Sequence, residues 1–126
     1  MPLVGVGVAV LRDGQILLVR RGREPGKGLW AVPGGKVNWG EPMRAAARRE
    51  VLEETGLEVE VGDVVWTGEH ITDEYHVVLF DFAGTVVEGE LQAGDDADEV
   101  RWVDLSEAME YPLTGTMYEL VDTLRS

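Results

Sequence analysis

Residues 35–57 read GKVNWGEPMRAAARREVLEETGL, and the architecture turns on the second half of that run. From Pro42 to Thr55 there is no glycine and most residues are strong helix formers. Pro42 suits a first helical turn and Gly56 suits the left-handed stop, so the pattern predicts a helix ending at Thr55. Ala46, Ala47, Val51 and, less strictly, Met43 supply a side to bury, while Glu50, Glu53 and Glu54 stand at i, i+3 and i+4 and share one face. Like charges so placed repel by about a few tenths of a kcal/mol per pair in water. Either Arg44, Arg48 and Arg49 offset them through helical ion pairs on a solvated face, or a cation binds there. Hard carboxylate oxygens without His or Cys select Mg²⁺ or Mn²⁺, and Mg²⁺ keeps waters and recruits phosphate oxygens to complete its octahedron.

Working outward, residues 4–11 and 16–19 are apolar, β-rich runs on either side of an Asp13-Gly14 turn, which predicts a hairpin. Residues 20–28 are basic and contain Gly and Pro, as a loop does. Residues 29–32 form a short strand that runs into the tight turn Pro33-Gly34-Gly35. After the helix, residues 59–65, 66–71 and 75–82 read as strands, 88–99 as an acidic loop and 100–103 as a last short strand. Ser106 is the expected cap of a short helix, and 114–124 are expected to form a C-terminal helix. There is no internal repeat. The predicted class is α/β, a mixed β-sheet sandwiched between helices, in one domain over residues 1–126.

Composition narrows the chemistry. The chain has 126 residues, 44% of them hydrophobic, enough for one core and too few for two. Its apolar stretches are far shorter than a membrane span and no basic leader opens it, so a cytoplasmic protein with no membrane partner is expected. The absence of cysteine excludes disulfides, thiolate catalysis and zinc sites of the Cys type. Twenty-four acidic against 11 basic residues give a net charge of −13, which disfavours binding to a nucleic-acid polymer. A small acidic protein acting on a phosphate needs divalent cations between the two.

The spacing Gly35, Glu41, Arg49-Glu50-Val51, Glu53-Glu54, Gly56-Leu57 resembles the Nudix signature G-x5-E-x7-R-E-U-x-E-E-x-G-U at every specified position. A chance match at a given starting residue is below roughly one in a million. The resemblance extends to residues 28–35 ahead of the motif and 100–103 near the end. It implies that Glu50, Glu53 and Glu54 ligate Mg²⁺ (or Mn²⁺), joined by the Gly35 carbonyl, and that Arg49 orients a glutamate by ion pairing. Glu53 is the favoured general base, with Glu41 an outer participant. The family also draws its base from a loop outside the motif, which brings in Asp95, Asp96, Asp98 and Glu99, each of which reads first as a solvated loop residue.

For the rest of the substrate, Arg20, Arg21 and Arg23 are available to phosphates, and Trp30, Trp39, Trp66, His70, Tyr75 and His76 are candidates to stack on or edge a base. Each aromatic reads first as ordinary packing, and the two histidines lack metal-ligand spacing. The run from Tyr75 to Phe82 looks more like compact ADP-ribose pyrophosphatases than like sanitising triphosphatases. The expected reaction is therefore Mg²⁺-dependent hydrolysis of a phosphoanhydride bond in a nucleoside diphosphate joined to another group, with ADP-ribose to AMP and ribose 5-phosphate as the favoured instance. The alternatives are a nucleoside triphosphate pyrophosphohydrolase and a non-catalytic nucleotide sensor, and the resemblance is compatible with a homodimer.

Overall fold

The computed structural model describes residues 1–94 and 96–126. β1 (Leu3–Arg12) and β2 (Gln15–Arg21) form the predicted hairpin. Asp13 and Gly14 both take positive φ, 52° and 78°, the conformation whose twist matches the flanking strands of a two-residue turn. β3 (Trp30–Ala31) pairs with β2, and β4 (Gly34–Lys36) pairs with β1. Helix α1 (Met43–Thr55) follows, with Pro42 as its N-cap and Gly56 at φ 75° as its C-cap. β5 (Leu57–Ile71), β6 (His76–Gly89) and β7 (Ala97–Asp104) come next. A 3-10 turn (Leu105–Glu110) and helix α2 (Gly115–Arg125) close the chain.

Among the described residues seven strands run in the order β3-β2-β1-β6-β5, with β4 also on β1 and β7 also on β2. β1 and β6 are parallel while the other pairs are antiparallel, so the sheet is mixed as predicted. β1 is the shared spine: residues 3–10 pair with β6, 5–7 with β4, and 11–12 with β2. Side chains alternate between two cores, as period-2 geometry requires. Val6, Val8, Val10 and Leu17 pack with Ala46, Ala47 and Val51 of α1. Ala9, Ile16 and Leu18 pack with Met117, Leu120 and Val121 of α2. Among the described residues no helix is long and apolar enough to cross a membrane.

Several boundaries differ from the sequence expectation. Residues 59–65 and 66–71 belong to one 15-residue strand, kept continuous by register shifts between Glu58 and Val59, Val61 and Val64, and Val64 and Trp66. β6 continues past Phe82 to Gly89 because β5 pairs with it along that whole length. The acidic loop shortens accordingly, since β7 starts at Ala97 opposite Arg21. Ser106 lies inside the 3-10 turn, which Asp104 precedes, and Thr114 caps α2 from outside it.

Candidate active site

α1 lays its glutamate face against the glycine turn at β4. A Cβ at Gly35 would stand 2.5 Å from the Glu50 carboxyl carbon, so only glycine lets that carboxylate lie over the strand. The Gly34 N–H donates to Glu54 Oε2 at 3.0 Å. The loop between β6 and β7 is tied to the end of α1 by Gln92 N–H to Thr55 O and Gly94 N–H to Glu54 O, both 2.9 Å. Its Asp96 carbonyl accepts from Gly22 N–H. Glu50, Glu54, Gly34, Gly35 and Asp96 thereby border one cleft of about 400 Å³, together with Arg21, Arg23, Glu24 and Lys36. Asp96 also pairs with Arg23 across it.

Arg49 is the hub of the helix face. It holds Glu41 with two hydrogen bonds, Nε to Oε2 at 2.8 Å and Nη2 to Oε1 at 2.9 Å. It also donates to Glu50 Oε1 at 2.7 Å, to the Lys36 carbonyl at 3.1 Å and, weakly, to Glu53 Oε2 at 3.4 Å. The Arg49 bonds hold the Glu41 carboxyl down at about 2, and Glu41 in turn raises the Arg49 guanidinium. Glu50 is pushed up by burial, against the pull of Arg49. Glu54 is pushed up to about 8 by burial, opposed by the Gly34 N–H. Glu53 is the outlier, its side chain 57% exposed.

The expected residues therefore divide. Glu50, Glu54, Gly35, Arg21 and Asp96 come together at the cleft, while Glu41 and Glu53 reach it through Arg49. Among the described residues no three carboxylate or imidazole side chains already converge as a metal cage; Arg49 stands between them as counter-ion. Trp30 is a correction: it is 6% exposed, edge-on to Tyr111 in the α2 core, and cannot stack on a substrate from there. Arg20 shows the opposite face of β2 from the cleft-lining Val19 and Arg21, and pairs with Glu99, which Arg101 also engages. Asp98 lies on β7 beside Gly22, outside the cleft lining, and Asp95 falls outside the described residues. Trp66 donates to Glu119, His76 meets Glu69 at 2.6 Å, and His70 lies against Tyr75 at the far end of β5, while Trp39 is fully exposed. Sequence reasoning passed over Lys36 and Glu24 as cleft residues; the position of Lys36, directly after Gly34-Gly35, was the available signal.

The chain is similar to known proteins in both sequence and fold. The family model described as NUDIX domain matches residues 1–124. An ADP-ribose pyrophosphatase of Methanocaldococcus jannaschii is 40% identical over 83% of the chain, which spans 63% of that relative's length. A CTP pyrophosphohydrolase of Escherichia coli is 36% identical over 97% of the chain and 91% of its own. The crystal structure of a MutT NUDIX hydrolase from Burkholderia pseudomallei superposes with a TM-score of 0.88 at 32% identity, covering 98% of both chains.

Proposed function

The chain belongs to the Nudix hydrolase family, and from that premise we propose that it hydrolyses a phosphoanhydride bond in a nucleoside diphosphate joined to another group. The observation that carries this reading is the pairing of Glu50 and Glu54, both half to well buried, with a cationic rim of Arg21, Arg23 and Lys36 around one cleft. Carboxylates bind no phosphate, and arginines alone provide no nucleophile; together they fit a divalent cation and the phosphate it bridges.

The residues present fit Mg²⁺, with Mn²⁺ as substitute. All the donors are hard oxygens, and Glu54 is a desolvated carboxyl that, among the described residues, no basic side chain neutralises by contact. Glu50, Glu53, Glu54 and the Gly35 carbonyl are the proposed ligands. Bound there, the ion would screen the diphosphate and acidify a water for attack. The chain's own groups do the rest. Arg49 fixes the rotamer of Glu50, and Glu41 fixes Arg49. Glu53 is the proposed base because its carboxylate is exposed and holds one long bond, leaving it free to take the proton of the attacking water. Asp96, which also lines the cleft, is the second candidate. Arg21, Arg23 and Lys36 hold the phosphate oxygens and place phosphorus for in-line attack.

ADP-ribose, split to AMP and ribose 5-phosphate, is the proposed substrate; the name of the archaeal relative supports it. A second reading is favoured by the E. coli relative, whose name points to a triphosphate split to monophosphate and pyrophosphate. A sensing role fits less well because each motif glutamate is present. A panel of ADP-ribose, sugar nucleotides and triphosphates with Mg²⁺ or Mn²⁺, read by product analysis, tests this. AMP and ribose 5-phosphate should appear, excess EDTA should stop turnover, and Glu54→Gln should lower kcat by about 10²-fold or more with the fold intact. Preferred release of pyrophosphate would assign the second reading. Turnover undiminished in EDTA, or no turnover at all, would overturn both.

A further inference from the structure

The face that β1 and β6 turn toward α2 holds a carboxylate that the proposed reaction does not use. Val6 and Val8 belong to the core under α1, whereas Ala9 and Leu79 belong to the one under α2. By alternation Gly5, Gly7 and Asp81 share the α2 face, with Gly7 directly beside Asp81 in the parallel register. Asp81 is 8% exposed, and no hydrogen bond or ion pair to its side chain is found among the described residues. Burial is the cause that raises its carboxyl, with no compensating contact. The side chain lies over Gly7: a Cβ there would collide with Asp81 Oδ1 and stand 3.1 Å from Val32 Cγ2. Yet the carboxylate is not sealed. Among the described residues the enclosed side-chain atom without a partner is Arg20 Nε, so the unpartnered oxygens of Asp81 keep contact with solvent.

An ionised carboxylate largely removed from water with no protein group donating to it opposes folding, and a donor from outside the chain relieves it. The place where such a donor would arrive is fixed by the sheet. Val32, in contact range of the same spot over Gly7, also lines the cleft. Gly7 pairs on its other side with Gly34, whose N–H holds Glu54. Asp81 thus stands two strand spacings, about 10 Å, from the backbone that anchors a proposed metal ligand. That span is comparable with the reach of a nucleotide from its 5′-phosphate to the far edge of its base.

We infer that Asp81 is a specificity residue, accepting a hydrogen bond from the exocyclic amino group of the substrate's base. The inference rests on the proposed nucleotide reading of the cleft. An ionised carboxylate only accepts, so it matches the 6-amino group of adenine and opposes the 6-oxo group that hypoxanthine carries at the same place. A buried site built for an N–H discriminates steeply against the analogue that lacks it, because the acceptor is then left unpaired. Glycine at position 7 keeps the space in which the carboxylate and the incoming amino group meet.

The test is calorimetric titration of AMP and of IMP, in Mg²⁺ buffer, into the wild-type protein and into Asp81→Asn. In the wild type AMP should bind about tenfold or more tightly than IMP. In the variant, whose amide can turn either an acceptor or a donor to the base, the ratio should fall toward unity. Equal affinities in the wild type, binding of neither nucleotide, or a preference that persists in Asp81→Asn would each overturn the assignment. The wild-type comparison needs no variant to fold. Turnover of ADP-ribose by the same wild-type sample separates the two levels: turnover without an amino preference removes this inference alone, and absence of turnover removes the reading beneath it.

Discussion

Burial acts on two carboxyls of this chain with different outcomes. Glu54 is pushed up to about 8 but receives the Gly34 N–H, while Asp81 is pushed from an ordinary 3.8 to about 6 by burial, with no donor to its carboxylate among the described residues. For Asp81 the folded value exceeds the unfolded one, so its favourable contribution is complete below about pH 4 and is lost as pH rises through 6. The shift corresponds to about 3 kcal/mol against the fold above pH 7. Asp81→Asn should therefore melt higher than the wild type at pH 8, by an interval that shrinks to near nothing at pH 4; thermal melts across that range check it, and a gap that does not change with pH would contradict it. The sequence displays this residue openly, as one acid inside the apolar run from Val77 to Phe82, but the sequence alone does not say that this face is covered. The same blindness misplaced Trp30, an aromatic beside a glycine turn that packs inward on Tyr111.

Helix α1 was legible almost to the residue, because helix formers, Pro42 and Gly56 all point to the same bounds, and Gly56 takes the left-handed φ that its identity suggested. Its charge pattern is less ordinary. The last turn holds Glu53 and Glu54 and no basic residue, so two carboxylates sit at the negative end of the helix dipole. A cation at that end relieves both the dipole and the mutual repulsion of the glutamates. Mg²⁺ should raise the melting temperature by about 10 °C when present at about 100 times its Kd. Glu54→Gln should shrink that rise, while Na⁺ at equal ionic strength should not reproduce it. Equal stabilisation of wild type and variant by Mg²⁺ would point to general screening of the acidic surface. The strands were less legible than the helix. β5 crosses Gly62 on register shifts that no periodicity predicts, and β6 extends beyond Phe82 because its partner does.

Across the whole molecule, the order of layers followed from the order of elements, but the parallel pairing of β1 with β6 joins segments from opposite halves of the chain and had no local signature. That pairing decides where function sits. It sets β4 on one side of β1 and Asp81 on the other, so the cleft at α1 and the carboxylate over Gly7 lie along one line across the sheet. The motif glutamates were readable from spacing, whereas the company they keep, Lys36, Arg23 and Asp96, comes from three separate loops and strand ends and depends on the fold. A net charge of −13 repels an anionic substrate from most of the surface, which leaves the arginines of the cleft and the proposed cation to draw it in. All of this converges on one bond. Hydrolysis of ADP-ribose in ¹⁸O-labelled water with Mg²⁺, followed by mass analysis of the products, should place one labelled oxygen in the phosphate of either AMP or ribose 5-phosphate, since the attacking water is activated beside the diphosphate. Products whose phosphates both lack the label would contradict P–O cleavage in this cleft.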